Sequence, residues 1–583
     1  MNWFPSTGSL NYQGKPSGRD PLKEKVSELL SAPSSSTVAL PVERITVPVA
    51  EPLMSHAIKP NESAVGASEA ATALIAANEQ VPQASGLRVF SDSEMIIGLV
   101  GAIGTNTGDV ISVFSDRLQL VGYDVHVIKV STSIIQKLTT VNVEGVGEAA
   151  RIRAYMDAGD RIRRKTVKYE DEKPIEWDYG ILANGAAAEI ASIRGKNGGR
   201  ELKRTAFIID SLKHPEEIHR LRQIYPRGFY LIGVHPDEAV RTAFLKQKGV
   251  ADEDIDKLVD RDADENLKHG QRVNDTFHLS DFFVRQDNDA LKFKGSVIRI
   301  FDILFGSLYT TPTFDEFAMF LAFTASLRSA DLSRQVGAVV ARGAEILGTG
   351  ANDCPKYGGG LYWPELNPES HQIEDKADGR DYRRGEDSNI IEQRKIIDGI
   401  IAKATESGID PVKLAEALKV SRIKDLTEYG RVVHAEMEAL MSCARNNVST
   451  RGAWLFCTTF PCHNCAKHII AAGVSRVVYI EPYQKSKAVE FHSDAISVGF
   501  NPAKDTVHFE PFVGVGPRRF FDLFSMSLGA GYPIERKDSD GLIKEWNLDS
   551  LSKLRVQMLP GSYIELEAEA ASQFEQQRKN QSA

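Results

Sequence analysis

Four residues in the C-terminal half of this 583-residue chain have the types and spacing that hydrolytic metal chemistry needs: His434, Glu436, Cys462 and Cys465. One histidine and two cysteines give zinc three protein ligands. The fourth tetrahedral position stays open for water, which separates catalytic sites from closed structural ones. Zinc draws the pKa of such a water toward about 7, and a carboxylate that is not a ligand is then free to move protons. A bare Cys-x-x-Cys also fits a redox pair or half of a structural zinc knuckle. A redox pair has no need of His-x-Glu ahead of it, and a knuckle needs a fourth Cys or His at suitable spacing.

The elements that must position these groups can be read locally. Met437, Leu440, Met441 and Ala444 follow His434 at helical spacing, which predicts a helix with one buried side and its first turn facing the site. Trp454 to Thr459 reads as a strand, and Pro461 suits the first position of a second helix. Cys462 and Cys465 then share the face of its first turn, where the helix dipole favours thiolate. His463 and Asn464 point away along that helix. Gly473 is its stop, and Val474 to Ile480 resumes as a strand. The metal would sit between two helix starts.

His-x-Glu followed by Pro-Cys-x-x-Cys resembles the zinc-dependent cytidine and deoxycytidylate deaminase superfamily. The resemblance implies one catalytic Zn2+ on His434, Cys462 and Cys465, attack of activated water on the amine-bearing ring carbon, and Glu436 as proton shuttle. It also implies a cytidine-deaminase-like α/β/α domain over residues 310–545. A helix from Phe314 to Ser329 and a hairpin formed by Val336–Ala341 and Glu345–Gly350 precede the His-x-Glu helix, in the order of that fold. Ser333-Arg334-Gln-Val-Gly337 and Gly350-Ala-Asn352 correspond to the family's Ser-Arg-x-Val-Gly and Gly-Tyr-Asn segments. By that likeness Asn352 should contact the sugar, and Arg334 belongs among the substrate-binding residues.

Composition sets the outer limits. With 42% apolar and 26% charged residues the chain is an ordinary globular protein of two or three domains. Five cysteines argue for a reducing cytoplasm rather than a disulfide scaffold, leaving Cys354, Cys443 and Cys457 as small buried hydrophobes. The opening Met-Asn-Trp-Phe-Pro-Ser lacks a secretory pattern, and no apolar run approaches the ~20 residues that cross a bilayer. A net charge of −9 gives no global support to polynucleotide binding. Residues 1–90, rich in Ser, Pro and Ala, read as an extended or disordered lead-in, and residues 546–583 as a C-terminal tail.

Between them, residues 91–300 begin with a buried-strand run, Met95 to Val100, then a glycine-rich turn with Gly101, Gly104 and Gly108, a helix from Asp109 to Leu120, and a strand from Tyr123 to Val130. Strand, glycine loop, helix and strand can cradle a phosphate on backbone N–H groups. The loop resembles that of P-loop nucleotide kinases. Asp210, ending Phe207-Ile-Ile, looks like a Walker B acid, and Arg261-Asp262 with Asp281 to Val284 adds to a likeness with small nucleotide and dephospho-coenzyme-A kinases. The departure is decisive for chemistry. A working P-loop follows its last glycine with Lys and Ser/Thr, whereas Gly108 is followed by Asp109 and Val110. The domain is therefore expected to bind nucleotide without phosphoryl transfer, or to serve as a sensor or assembly module.

An insertion from Lys356 to Arg431, far longer than an ordinary loop, reads equally as a lid or as a solvated charged face. Basic residues after the zinc helices, Lys485 with Lys487 and Arg518 with Arg519, are the candidates for meeting a polyphosphate. A P-loop-like domain joined to this deaminase, with the insertion and the Gly-Pro-Arg-Arg-Phe segment, resembles the bacterial anti-phage dCTP deaminases. That likeness implies conversion of dCTP, and often dCMP, to the uracil nucleotide during infection, a homo-oligomer, and an inhibitory small RNA or phage-derived trigger. The competing readings are a polynucleotide deaminase, a dCMP deaminase of ordinary pyrimidine metabolism, and a non-catalytic nucleotide sensor. A sensor should have lost Glu436 or a ligand, and it has not.

Overall fold

The computed structural model describes residues 2–4, 9–11, 92–163, 178–263, 270–287, 289–426, 428–483, 486–549, 551–558 and 563–582. Two compact units divide at Gly86 and Leu87. The described part of the first is a short antiparallel pair, Asn2–Phe4 with Ser9–Asn11. The rest of the expected lead-in lies outside the described residues.

In the second unit, β1 (Met95–Gly101) is buried along its whole length, as its unbroken apolar run requires of a central strand. It is followed by α1 (Thr107–Leu120), β2 (Asp124–Lys129), α2 (Ile181–Gly195), β3 (Thr205–Asp210), β4 (Phe229–Pro236), α3 (Asp252–Ala263) and β5 (Phe282–Gln286). The strands form one parallel sheet in the order β2-β3-β1-β4-β5, with β1 at its centre and its glycine-rich exit in the crevice between neighbouring strand ends.

A second sheet follows. Helix α4 (Phe314–Ser326) starts on a Thr313/Glu316 capping box and covers the hairpin β6 (Gly337–Arg342) and β7 (Glu345–Ala351). Within the insertion, α5 (Ser388–Glu406) and α6 (Pro411–Val420) form a helical hairpin. Then come α7 (Ala435–Arg445), β8 (Trp454–Thr459), α8 (His463–Ala471), β9 (Arg476–Glu481), β10 (Ile496–Val498) and β11 (Val507–Pro511). The sheet order is β10-β11-β9-β8-β6-β7, parallel from β10 to β8 and antiparallel through the hairpin. Helix α7 lies so close to β7 that a Cβ on Gly350 would stand 2.1 Å from the Ala435 carbonyl oxygen.

Two features depart from the sequence reading. Gly514–Val515 forms a strand, β12, antiparallel to β5, so a segment downstream of the second sheet completes the first. The Glu316 carboxylate fixes this junction: it accepts the Val515 N–H at 2.8 Å and two bonds from Arg299, at 2.6 and 2.8 Å. Residues 563–582, expected to be part of a tail, are not one. Helix α9 (Ile564–Ser582) packs on α2, and Tyr563, Ala570 and Phe574 lie in the core of the N-terminal sheet. Arg194 of α2, 2% exposed, bonds both Glu94 oxygens at 3.0 Å and also reaches Glu567 on α9. The sequence reading missed this helix because its buried groups are partly charged and are satisfied by residues hundreds of positions upstream.

Candidate active site

His434 and Cys462 are the capping residues immediately before α7 and α8, and Cys465 lies in the first turn of α8. Pro461 therefore precedes the cap rather than opening the helix. The Cys462 sulfur accepts the Cys465 N–H at 3.5 Å. Possible ligand atoms of His434, Cys462 and Cys465 all lie within 4.8 Å of one another, with His434 Nδ1 3.3 Å from Cys465 Sγ and 3.4 Å from Cys462 Sγ. Two helix N-termini converge on the group, and their partial positive charge favours anionic sulfur. Cys462 is the more acidic thiol, drawn down to about 3 by the hydrogen bond from Cys465 and by His434, while Cys465 is pushed up as the donor of that bond. His434 is raised to about 9, chiefly by its bond to Cys462.

The donor set fits zinc: one imidazole and two thiols from helix starts, with no fourth His, Cys or acid in the group among the described residues. Glu436 is the second residue of α7, in its first turn, and is 4% exposed. Burial pushes its carboxyl up, the direction needed by a group that takes and returns a proton near neutral pH. Cys457 lies beneath it on β8, fully buried, and its thiol is raised by that burial.

The remaining candidates fall in different places. Asn352 is buried, and its side chain ties the entrance loop to β7: Oδ1 accepts the Val336 N–H at 2.7 Å and Nδ2 donates to the Arg334 carbonyl at 2.8 Å. Arg334 itself is exposed, with its guanidinium 5.1 Å from the Tyr483 ring centroid. Sequence reasoning passed over two contributors here. Asp331 accepts the N–H groups of Ser333 and Arg334 at 2.9 and 3.0 Å and so shapes the loop, and Tyr483 supplies an aromatic wall. Lys485 lies outside the described residues, and Lys487 pairs with Glu490. Arg518 is exposed beside Arg222. Arg519 differs from its neighbour and from the expectation of a phosphate-facing role. It is buried, donates to the Phe229 carbonyl at 2.6 Å, lies 3.4 Å from Asp281 and covers the Tyr230 ring. Its charge is neutralised inside the N-terminal sheet.

At the glycine-rich loop, α1 begins at Thr107, with Asn106 as its cap and no lysine in the turn. Gly104 has φ +83, and a Cβ there would meet Arg241. The loop's polar groups are already engaged. Asp262 of α3 accepts the Ile103 N–H at 2.6 Å and pairs with Lys213 at 2.9 Å, and Lys213 also donates to the Gly101 carbonyl at 2.8 Å. Gln286 bonds both the N–H and the carbonyl of Asn106, and its amide reaches Asp109. Asp210 ends β3 beside this loop, and the Gly108 N-terminal turn remains partly open.

Comparison with known proteins bears on the C-terminal half. Residues 312–481 match the cytidine and deoxycytidylate deaminase zinc-binding region. The deoxycytidylate deaminase of enterobacteria phage T4 is 29% identical over 168 residues, covering 29% of this chain and 77% of that protein. ComE operon protein 2 of Bacillus subtilis is 44% identical over 54 residues, which is 9% of this chain and 29% of that protein. Among solved structures, the dCMP deaminase of cyanophage S-TIM5 with dCMP and dUMP is 20% identical. It is matched over 35% of this chain and 100% of its own, with a TM-score of 0.20. The chain thus spans about three-quarters of the phage T4 protein and under a third of the Bacillus one. Among the described residues no helix is long and apolar enough to cross a membrane.

Proposed function

We propose that the protein is a zinc-dependent hydrolytic deaminase of deoxycytidine nucleotides, converting dCTP, dCMP or both to the uracil nucleotide. The observation that carries this reading is the convergence of His434, Cys462 and Cys465 within 4.8 Å, with the buried Glu436 on the first turn of the same helix that His434 caps. Zinc, when bound, supplies a water activated near neutral pH. The chain's own residues do the rest. His434 and the two sulfurs hold the ion at the meeting of two helix ends, and the Glu436 carboxylate takes a proton from the nucleophile and returns one to the departing amine. Asn352 and Asp331 fix the 331–336 loop, from which Arg334 can meet a nucleotide phosphate over Tyr483.

The relatives' names favour dCMP as a substrate, whereas the resemblance of about residues 94 to 545 to anti-phage enzymes favours dCTP and a defensive role through nucleotide depletion in the cytoplasm. A homo-oligomer held in check by a small RNA, or released by a phage product, belongs to the same proposal. The parallel order β2-β3-β1-β4-β5, with a glycine-rich turn leaving the central strand, supports a P-loop-kinase-like origin for residues 91–300. The missing lysine supports loss of phosphoryl transfer. Incubating purified protein with dCTP, dCMP, deoxycytidine and a cytosine-containing oligonucleotide, and measuring ammonia and uracil products, tests the proposal. Release of ammonia from the oligonucleotide alone would replace it with a polynucleotide reading.

A further inference from the structure

The insertion is tied to the segment that delivers His434, and the tie is ionic and buried. Asp353 and Val433 exchange both backbone hydrogen bonds, Asp353 N–H to Val433 at 3.2 Å and Val433 N–H to Asp353 at 3.0 Å. His434 is the next residue, so this bridge sets where its backbone lies. The Asp353 side chain is 2% exposed, with one oxygen accepting the Cys354 N–H at 2.8 Å and the other 2.9 Å from Arg380 Nη2.

Arg380 belongs to the insertion and is itself 5% exposed. Its fork also holds Asp375 at 2.9 Å and the Tyr362 carbonyl at 2.8 Å. Arg328, just after α4, donates to the same carbonyl at 2.6 Å and lies 3.7 Å over the Trp363 ring. On the other side of the bridge, Arg431 donates to Asp381 at 2.7 Å and to the Gly379 carbonyl at 2.9 Å. The insertion therefore holds the Asp353 side of the bridge through Arg380, and its own last residue, Arg431, is fixed two positions before Val433. Of the arginines in the charged run, Arg383 and Arg384 are exposed, whereas Arg380 is buried.

We propose that the insertion positions the metal ligand His434, with Arg380 as a positioning residue that acts through Asp353. The proposal rests on the reading of this site as a zinc centre. A carboxylate buried as deeply as Asp353 is tolerated only with its cation in place. Without Arg380 it keeps only the weaker field of Arg328 and draws in water or a proton, and the bridge next to His434 shifts with it. A planar guanidinium can meet two carboxylates and a carbonyl at once, which an ammonium cannot. Groups that stand behind a metal ligand change metal affinity by about 10–100-fold when removed.

The test is zinc affinity measured by chelator competition on the full chain, together with thermal unfolding of the zinc-free forms. The variants are Arg380→Ala, Arg380→Lys, Asp353→Asn and the double variant Arg380→Ala/Asp353→Asn. The expected result is zinc binding about 10–100-fold weaker in Arg380→Ala, an intermediate loss in Arg380→Lys, and a double variant no weaker than Arg380→Ala alone. Unchanged zinc affinity in Arg380→Ala, with only the unfolding temperature lowered, overturns the proposal. Additive losses in the double variant overturn the route through Asp353. If Arg380→Ala does not fold, Arg380→Lys and Asp353→Asn carry the same comparison. Failure of the unaltered protein to bind zinc would instead overturn the zinc reading on which the proposal stands.

Discussion

Ile103 donates its backbone N–H to the carboxylate of Asp262 at 2.6 Å, so the glycine-rich turn holds an anion supplied by the protein itself. In a working P-loop that N–H would face a nucleotide phosphate. Lys213, which donates to the Gly101 carbonyl of the turn, is committed to the same carboxylate. The unaltered protein should therefore show no phosphoryl transfer from ATP to a nucleoside monophosphate, against the order of 1–100 per second of a working kinase. Asp262→Ala should raise ATP affinity in equilibrium dialysis, because it frees both the N–H and Lys213. Tighter ATP binding to the unaltered protein than to the variant would reverse this assignment.

Glu436→Gln should keep metal and fold while lowering turnover by at least about 10²–10⁴-fold, the usual worth of a positioned acid–base group. Zinc content by mass spectrometry and ammonia release from dCTP and dCMP give the two readouts. Full activity in the variant would remove Glu436 from the mechanism.

Zinc affinity should rise with pH. In the metal-free protein His434 is raised to about 9 and Cys465 is pushed above the ordinary thiol range, so both carry protons at neutral pH that zinc must displace. The sign is fixed by that displacement. Affinity is weakest at low pH and climbs as pH rises toward 9, by up to about tenfold per pH unit for each proton released. Titrations with a zinc-competing dye between pH 6 and 9 test it, and a flat profile would contradict the protonation states.

Adjacent arginines should behave differently. Arg519→Ala leaves Asp281 buried without one of its cations and should cost about 3–5 kcal/mol of stability, read by denaturant unfolding. Arg518→Ala touches an exposed side chain beside Arg222 and should leave stability within about 0.5 kcal/mol. If Arg518 meets a phosphate tail, its loss raises KM for dCTP more than for deoxycytidine, and added salt shrinks the difference.

The metal cluster was legible because its chemistry is local: ligand type, spacing and helix starts are all written within the stretch from His434 to Cys465. Strand and helix identities near it were legible for the same reason, through apolar periodicity in single segments. What escaped reading is non-local. Arg519 looks like any loop arginine until β4 and β5 are beside it, and Asp262 looks like any helix acid until the turn after β1 is beside it. The helix α9 went unread because two of the four described residues it buries, Glu567 and Gln577, are polar, and the partners of Glu567, Arg194 and Tyr225, come from another part of the chain.

The packing of α9 against α2, with Gly514–Val515 added to the edge of the same sheet, fixes an order of events during synthesis. Of the two six-stranded sheets, the first to be translated is the last to be finished. While the intervening half is being made, the nascent α2 and the outer edge of β5 lack their covers, for a period on the order of tens of seconds at about 5–20 residues per second. The zinc-bearing half, whose sheet is contiguous in the chain from β6 to β11, can close first and then serve as the platform on which the earlier half completes itself.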